Sequence, residues 1–582
     1  MTEKKCIRKP ISGIYILSIL LLLILPHTYA SLYKGDYDRT ISNITLKGNS
    51  IVGTEKKKNK TVGLFYFVWL GQHGTTGIYD NSKIDHAALF STAPNDLTPM
   101  NQYHFWGQPL YGYYNSEDPW VMTRHIELLT MAGIDYLIID TTNAFYYPSV
   151  MHSLIQKLLF FQKQGWSVPK VAFYTNSSSG TTVTNIYNEY YKSEKYNDIW
   201  FRMNEKPLII GITANNNNTS DQTFFNGAKD FISPQLVEYF DVRESQWPNV
   251  PIHEESFPWI SWDYPQKNHK GTVSVSVAQH PEKSVFFSDT TNTKGRGYDA
   301  ITKKNNTHLS RDGKNFQDQW ETVFSLGDAV SNVFVTGWNE WVAIKLASEK
   351  GKVFFVDAYN EEFSRDSEMM KGGYNDNFYL QLVRNIKKFK YENTPSIANT
   401  FRQPSHYKDF SGDAINRDYK DFSGKGRYID SSARNDITDI IVEHDKKNIY
   451  FTIKTAEAIT SPNPSEENWM NIFIKTHDAA DNFEGFNYVV NRTFAKNKTA
   501  NVEKSSGGYK WKNSGHAKYE LKGNVLKVSI PLKSLSISAD TPSIEFKVAD
   551  HVTNYEDIMD YYVSGDVAPI GRLTFQYSFK GS

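Results

Sequence analysis

The chain has 582 residues and sets 64 Lys and Arg against 64 Asp and Glu, so no global field draws it toward nucleic acid or an anionic membrane. Recognition must come from local chemistry, and a chain this long calls for two or three folding units. Aromatic residues make up 14%, which suits pockets built from flat apolar faces with hydrogen-bonding tips.

Residues 1–30 read as a secretory signal peptide. Lys4, Lys5, Arg8 and Lys9 precede the apolar run Ile14 to Leu25, and Thr28-Tyr29-Ala30 ends on a small residue. The run is short for a membrane span, so a membrane is a partner only if this segment stays uncleaved. The expected location is extracellular, or the lumen of the secretory pathway. Cys6 is the one cysteine and falls before the cut, which leaves the mature core without a disulfide. Triplets for N-glycosylation stand at Asn43, Asn59, Asn176, Asn217, Asn218, Asn305, Asn491 and Asn497.

Residues 31–61 form a polar lead-in, and a first domain is predicted over 62–394. It opens with Val62 to Leu70 (VGLFYFVWL), a continuous apolar run of strand length, as in a strand buried on both faces. Tyr79 to Tyr114 is rich in Pro, Gly and aromatics and suits a loop closing one end of the domain. Asp118-Pro119 starts a helix whose apolar stripe runs through Met122, Ile126 and Leu129. Gly133 to Asp140 (GIDYLIID) is a second strand ending in Asp140. Helices over 147–164 and 183–193 then alternate with strands at 170–175 and 207–212.

Glu238 to Trp247 carries Glu244 near its end, Phe257 to Trp262 leads to Asp263, and Thr272 to Ala278 leads to Gln279 and His280. A helix over Phe316 to Leu326 delivers the chain to Val333–Trp341, which reads VFVTGWNEW. Eight strands alternating with helices predict an α/β fold, a (β/α)8 TIM-type barrel. No Gly-rich phosphate loop follows the first strand, which argues against an open dinucleotide-binding sheet. Tyr379 to Phe389 is the last helix and 395–424 a linker. Residues 425–582 change to short, often alternating runs, the pattern of an antiparallel β-sandwich.

Barrel chemistry gathers where strands end, so Glu340 is the first candidate, with Asp140 and Glu244 at two other strand tips. Asn339, Gln279 and His280 could hydrogen-bond a substrate, and Trp338, Trp341, Trp247 and Trp262 could stack on one. Structural readings stay open beside these: Asp140 capping the turn at Thr141 and Thr142, Glu244 paired with Arg243, and some of the tryptophans in the core. Asp357, Glu361, Glu362, Asp366 and Glu368 form an acidic loop that could supply a carboxylate or hold Ca²⁺, although a solvated loop is the simpler reading. Neither a zinc signature nor a nucleophile elbow is present, and no metal or cofactor is expected.

GWNEW at 337–341 and YLIID at 136–140 resemble the glycoside hydrolase family 99-like barrels, which include endo-α-mannosidases and related polysaccharide-processing proteins. The resemblance implies a glycoside hydrolase-like activity on a polysaccharide or glycan, with Glu340 at the position of a catalytic glutamate. That family carries a second glutamate three residues on, where this chain has Ala343. Glu340 must then find its partner among Asp140, Glu244 or the acidic loop, because glycoside cleavage generally takes two carboxyl groups. A glycan-binding protein that keeps the cleft without catalysis is the alternative. GHAKYELKG at 515–523 and VLKVSIP at 525–531 resemble the sandwiches grouped with family 9 carbohydrate-binding modules.

Overall fold

The strand-length apolar runs assemble into one parallel sheet in a computed structural model, which describes residues 40–41, 56–214, 224–225, 228–248, 254–279, 286–287, 294–391, 405–495 and 498–579. Its strands are β1 Thr61–Tyr66, β2 Tyr136–Thr141, β3 Lys170–Thr175, β4 Lys206–Gly211, β5 Asp241–Gln246, β6 Phe257–Pro258, β7 Thr272–Ser276 and β8 Asn332–Thr336. They pair in the order β6-β5-β4-β3-β2-β1-β8-β7, every pair parallel. The terminal strands β6 and β7 lie side by side without a ladder, so the expected barrel forms with one open seam.

Its interior is filled by side chains from alternate strand positions, among them Phe65, Tyr136, Ile138, Tyr174, Ile210, Phe257 and Phe334. Close packing fixes one position in β1: a Cβ on Gly63 would lie 2.2 Å from the ring of Tyr136. Tyr136 in turn stacks on Phe201 at 3.8 Å and donates to Asn332 Oδ1 at 2.9 Å, which ties β2 to β8 low in the barrel.

The helices are α1 Pro119–Ala132, α2 Pro148–Lys163, α3 Ser179–Ile186, α4 Pro234–Tyr239, α5 Lys314–Leu326 and α6 Asn377–Lys390. The first follows the predicted punctuation, the helix read at 183–193 lies earlier, and α4 falls where the start of a strand was expected. Asp118 caps α1 by accepting from the Trp120 N–H at 3.0 Å, Pro119 takes the first turn, and Gly133 ends the helix at φ +82°. Every residue of α1 from Trp120 to Ala132 is buried, Arg124 and Glu127 included. An amphipathic surface helix would expose such charges; here the C-terminal region covers them.

That region is an antiparallel sheet whose order runs 574–578, 543–550, 471–475, 488–495, 499–505, 511–522, 525–531, 448–455, 437–444, 405–408. It folds over a shared core that includes Ile440, Phe451, Ile472, Val490, Val528 and Phe546, giving the expected β-sandwich-like architecture. The strand at 499–505 is mostly polar in sequence and turns Ala500 and Val502 into that core.

The stretch read as a linker is ordered from residue 405 onward. Ser405–Lys408 pairs with Ile437–His444, and Arg417–Lys420 pairs with Arg427–Asp430. That second hairpin packs on the barrel, where Arg417 donates to Asp118 Oδ2 at 2.8 Å and lies over the Trp120 ring at 4.8 Å. Residues 392–404 and the apolar run at 14–25 lie outside the described residues. Among the described residues no helix is long and apolar enough to cross a membrane. Asn59 and Asn305 are exposed, but Asn176 and Asn491 are buried, with Asn176 Oδ1 accepting from Trp247 and Asn491 donating to the Met470 carbonyl, so the fold withholds these two triplets from glycosylation.

Asp118 therefore both caps α1 and neutralises a buried guanidinium. Asp118→Ala is expected to cost about 3–5 kcal/mol, mostly from leaving Arg417 buried and unpaired. Asp118→Asn, which keeps the cap acceptor, is expected to cost less. Denaturant midpoints of the two variants measure the difference, and equal midpoints would locate the effect in the ion pair with Arg417 alone.

Candidate active site

Parallel strands bring every C-terminal tip to one rim, and the chain leaving β8 turns along it. Val342–Ala347 runs back to pair with Tyr103–Phe105 on one side and Val353–Val356 on the other. The aromatic-rich loop at 79–114 thus contributes a strand at this end of the barrel. Ala343 pairs with His104 and packs among Leu89, Phe355, Tyr359 and Phe363, so a carboxylate at 343 would be buried in apolar surroundings.

Glu340 sits at the start of this turn with its side chain 12% exposed. Its carboxylate accepts from Arg365 Nη2, while Arg365 Nη1 donates to Asp357 Oδ1 at 3.0 Å. One guanidinium holds two carboxylates, and the Asp357 side chain is 22% exposed, so the pair opens to solvent at one edge. Asp366 Oδ1 accepts from the Glu340 N–H at 2.8 Å. The guanidinium lies over Trp259, 5.0 Å from the ring centre.

Burial raises the proton affinity of Glu340 well above the usual carboxylate range; Arg365 opposes this, and Asp357, Asp366 and Asp140 reinforce it. Burial pushes Asp366 up to about 6, against the pull of the Glu340 N–H and Arg365. Asp140 is raised by burial too, with Thr142 opposing and Asp357 adding. Four acids thus crowd around Arg365, and the cluster retains protons at a pH where isolated carboxylates have lost them.

The other sequence candidates fall in different places. Asp140 caps its own turn, accepting from the Thr142 N–H at 3.1 Å and hydroxyl at 2.7 Å, yet remains among the charges that act most on Glu340. Glu244 turns to Thr213 after β4, taking its N–H at 3.2 Å and its hydroxyl. Asn339 is buried and clips the chain beyond β1: Oδ1 accepts from the Phe67 N–H, and Nδ2 donates to the Phe67 carbonyl, both at 2.9 Å, with Tyr114 at 3.2 Å.

Trp338 and Trp341 are fully buried, so neither is placed to stack on a ligand. Trp338 packs edge-on against His125 and Tyr379; Trp341 stacks on Trp106 at 4.2 Å and donates to Glu368. Trp247 is half-buried, tilted on Trp259 at 4.4 Å and donating to Asn176. Gln279 is buried and donates to the Ser261 carbonyl, and His280 lies outside the described residues. Trp262 and the exposed Asp263 line a separate cavity of about 290 Å³ with Gln246, Ile260 and His269. The acidic loop is not uniformly solvated: Asp366 and Glu368 are buried, and Glu368 accepts from His125 at 2.9 Å and Tyr114 at 2.8 Å.

The aromatic residues that flank the acids are ones the sequence reading did not single out. His73 Nε2 meets the Tyr147 hydroxyl at 2.9 Å, and its ring stacks with Tyr103 at 6.1 Å and meets Phe145 edge-on at 5.3 Å. Trp69 lies 5.4 Å from Tyr103 and 5.8 Å from His73. All are half-exposed except Phe145, which is 56% exposed. Tyr147 feels the charge of Asp140, so this rim borders the acid cluster. Burial lowers the basicity of His73 and favours its neutral form. Ala144 and Tyr147 hold left-handed backbone at φ 67° and 45°, a cost of roughly 1 kcal/mol or more each that persists where surrounding structure over-determines the loop. The signal available in the sequence was position: Trp69 and His73 follow β1, and Phe145 and Tyr147 follow β2.

No family model matches the chain, and no curated protein matches it. Among solved structures, two of the GH99 endo-α-mannosidase from Bacteroides thetaiotaomicron, one in complex with BIS-TRIS-propane, are similar at 13% identity with TM-scores of 0.32 and 0.31, covering 56% of this chain and 97% of theirs. A structure described as a glycoside hydrolase-like protein is similar at 16% identity and TM-score 0.30, over 60% of this chain and 98% of that one.

Proposed function

We propose that this chain is a secreted protein of glycoside-hydrolase type that processes a polysaccharide or glycan through Glu340 and Asp357, with Asp140 behind them. The observation that carries the reading is Arg365, which holds one carboxylate on each terminal nitrogen at a solvent-facing edge of the barrel rim. Cleavage of a glycosidic bond takes one carboxyl group to protonate the leaving oxygen and a second to attack or to activate water. Glu340, buried and raised in proton affinity, suits the acid. Asp357, more exposed and held by a guanidinium that favours its charged form, suits the nucleophile or base. Trp69, Tyr103, Phe145 and Tyr147 offer ring faces beside the acids that match the C–H faces of a sugar. On its resemblance to family 9 modules, the C-terminal sandwich is a second carbohydrate contact in the same reading.

One observation favours the alternative of a glycan-binding protein without catalysis: a carboxylate locked to a guanidinium is a poor proton donor, and Glu340 contacts Arg365 directly. Reducing-end release from a panel of polysaccharides separates the two. Glu340→Gln and Asp357→Asn are each expected to slow release about 100-fold or more. Equal release by wild type and variants would remove both residues from the mechanism. Absence of release by every form, with glycan-array binding retained, would install the binding reading. The wild-type rate is expected to fall on the alkaline side as Glu340, raised by burial, loses its proton. Trp69→Ala and Phe145→Ala are expected to raise KM several-fold with a smaller change in kcat.

The same acid excess bears on stability. Asp366 binds its proton more tightly folded, at about 6, than unfolded, at 3.8, so its protonation favours the folded state at low pH and that contribution is lost as pH rises from about 4 to about 6. Asp366→Asn keeps an acceptor for the Glu340 N–H and removes the titration. Its melting temperature is expected to fall less than wild type across that window; parallel profiles would exclude Asp366 as the titrating group.

A further inference from the structure

A second acid cluster lies away from the rim, between α1 and the C-terminal region. Glu127 of α1, Asp409 and Asp413 form one group whose ligand oxygens fall within 4.8 Å of one another; Asp413, Asp436 and Asp566 form a second by the same measure. Asp413 belongs to both, so the two groups adjoin through one residue.

The fold ties down one side of several of these groups and leaves the other bare. Glu127 Oε2 takes Arg124 Nη1 at 3.3 Å, Asp436 Oδ2 takes the Gly412 N–H at 2.8 Å, and Asp566 Oδ2 takes the Ile437 N–H at 2.5 Å. Glu127 Oε1, Asp436 Oδ1 and Asp566 Oδ1 are buried and receive no hydrogen bond. Asp409 and Asp413 are only 4% and 1% exposed, and no well-aligned donor from outside the cluster reaches either oxygen of Asp413; the Phe410 N–H acts on Asp409. An unpartnered buried carboxylate is among the costliest groups a fold can hold.

The cations nearby do not balance them. Arg124 reaches Glu127 and lies 3.6 Å from Asp413, but its second terminal nitrogen goes to the Gly565 carbonyl. Lys547, which faces Glu127, is spent on the Pro569 and Gly571 carbonyls, and Lys157 acts on Asp413 from a distance. Burial and mutual repulsion push Asp409, Asp413 and Asp566 well above the usual carboxylate range. Protons shared between Asp413 and its neighbours Glu127 and Asp436 would relieve part of this repulsion, and a cation would relieve all of it.

We infer that Glu127, Asp409, Asp413, Asp436 and Asp566 form a Ca²⁺ site that fastens the barrel to the C-terminal sheet. Ca²⁺ takes six to eight oxygen ligands at about 2.3–2.6 Å in flexible geometry, which suits bare carboxylate oxygens converging from four chain segments. Mg²⁺ demands a strict octahedron and keeps its waters, which suits a dry, crowded acid cluster less well.

The test uses the full mature chain, stripped with EDTA and returned to chelator-free buffer. CaCl₂ is expected to give a saturable binding heat and to raise the melting temperature by on the order of 5 °C at a hundredfold excess over the dissociation constant, with MgCl₂ giving less. Asp409→Asn/Asp413→Asn is expected to lose that response and, without CaCl₂, to melt no lower than wild type, since two repelling charges are gone. A role in packing alone predicts the opposite sign. Absence of binding heat and of any melting shift in the wild type would overturn the inference, as would an equal response from the double variant or an equal shift with MgCl₂.

Discussion

The rim depends on how one guanidinium is shared. Arg365 reaches it from the loop after the β9–β10 hairpin, where β9 is Val342–Ala347 and β10 is Val353–Val356, and it stands between Glu340 and Asp357 over the face of Trp259. Lysine could not do this: a single ammonium would bind one carboxylate or the other, whereas a planar fork fixes both at once and keeps its charge at any accessible pH. Because Asp366 and Asp140 add their charge to the same neighbourhood, the cluster carries more acid than Arg365 neutralises. Burial first, and the surplus after it, raises the proton affinity of Glu340, Asp366 and Asp140.

Positioning of that pair relies on polar groups that make no contact with the opening. Asn339 replaces a strand's ladder by gripping both the N–H and the carbonyl of Phe67, which fixes the direction in which the chain leaves β8. Glu368 gathers His125, Tyr114 and Trp341 beneath it, and His125 continues the network to the Tyr66 hydroxyl at 2.9 Å. Burying so polar a network is tolerable only because its members satisfy one another, and the result is a floor with little freedom to shift. Glu340 is therefore set by neighbours on either side in sequence whose own side chains point into the protein.

The barrel was legible because most of its strands, β5 excepted, are buried on both faces and read as apolar runs, and because Asp118-Pro119 and Gly133 punctuate α1 as capping chemistry requires. Glu340 was legible as a carboxylate between two indoles, but the indoles misled: Trp338 and Trp341 flank it in sequence and point into the core. Which strand-end aromatics face outward depends on the register and on the loops above, neither of which a period of two or of 3.6 encodes. Arg365 sits in an acidic loop that composition assigns to solvent, and only its burial beside Glu340 distinguishes it. The 405–424 stretch reads as part of a linker since polar and charged residues broken by Gly fill it, while its order comes from contacts such as Arg417 with Asp118, 299 residues apart.

Two surpluses of acid occur in this chain, and the surroundings resolve them differently. At the rim the acids keep partial exposure and a shared guanidinium, so charge can be exchanged with solvent or with a bound molecule. Between α1 and the C-terminal sheet Glu127, Asp409, Asp413 and Asp566 are buried with Asp436 at the edge, and Arg124 is divided among several acceptors. A cluster of this kind is stable only with a positive charge at its centre or with protons shared between neighbouring carboxyl groups. Because Glu127 belongs to the barrel and Asp409, Asp413, Asp436 and Asp566 to the region beyond it, whatever neutralises the cluster also sets how firmly α1 is held. His125, on the same helix, carries the floor of the rim through Glu368, so the proposed cation and the proposed acid are linked by a single rigid element.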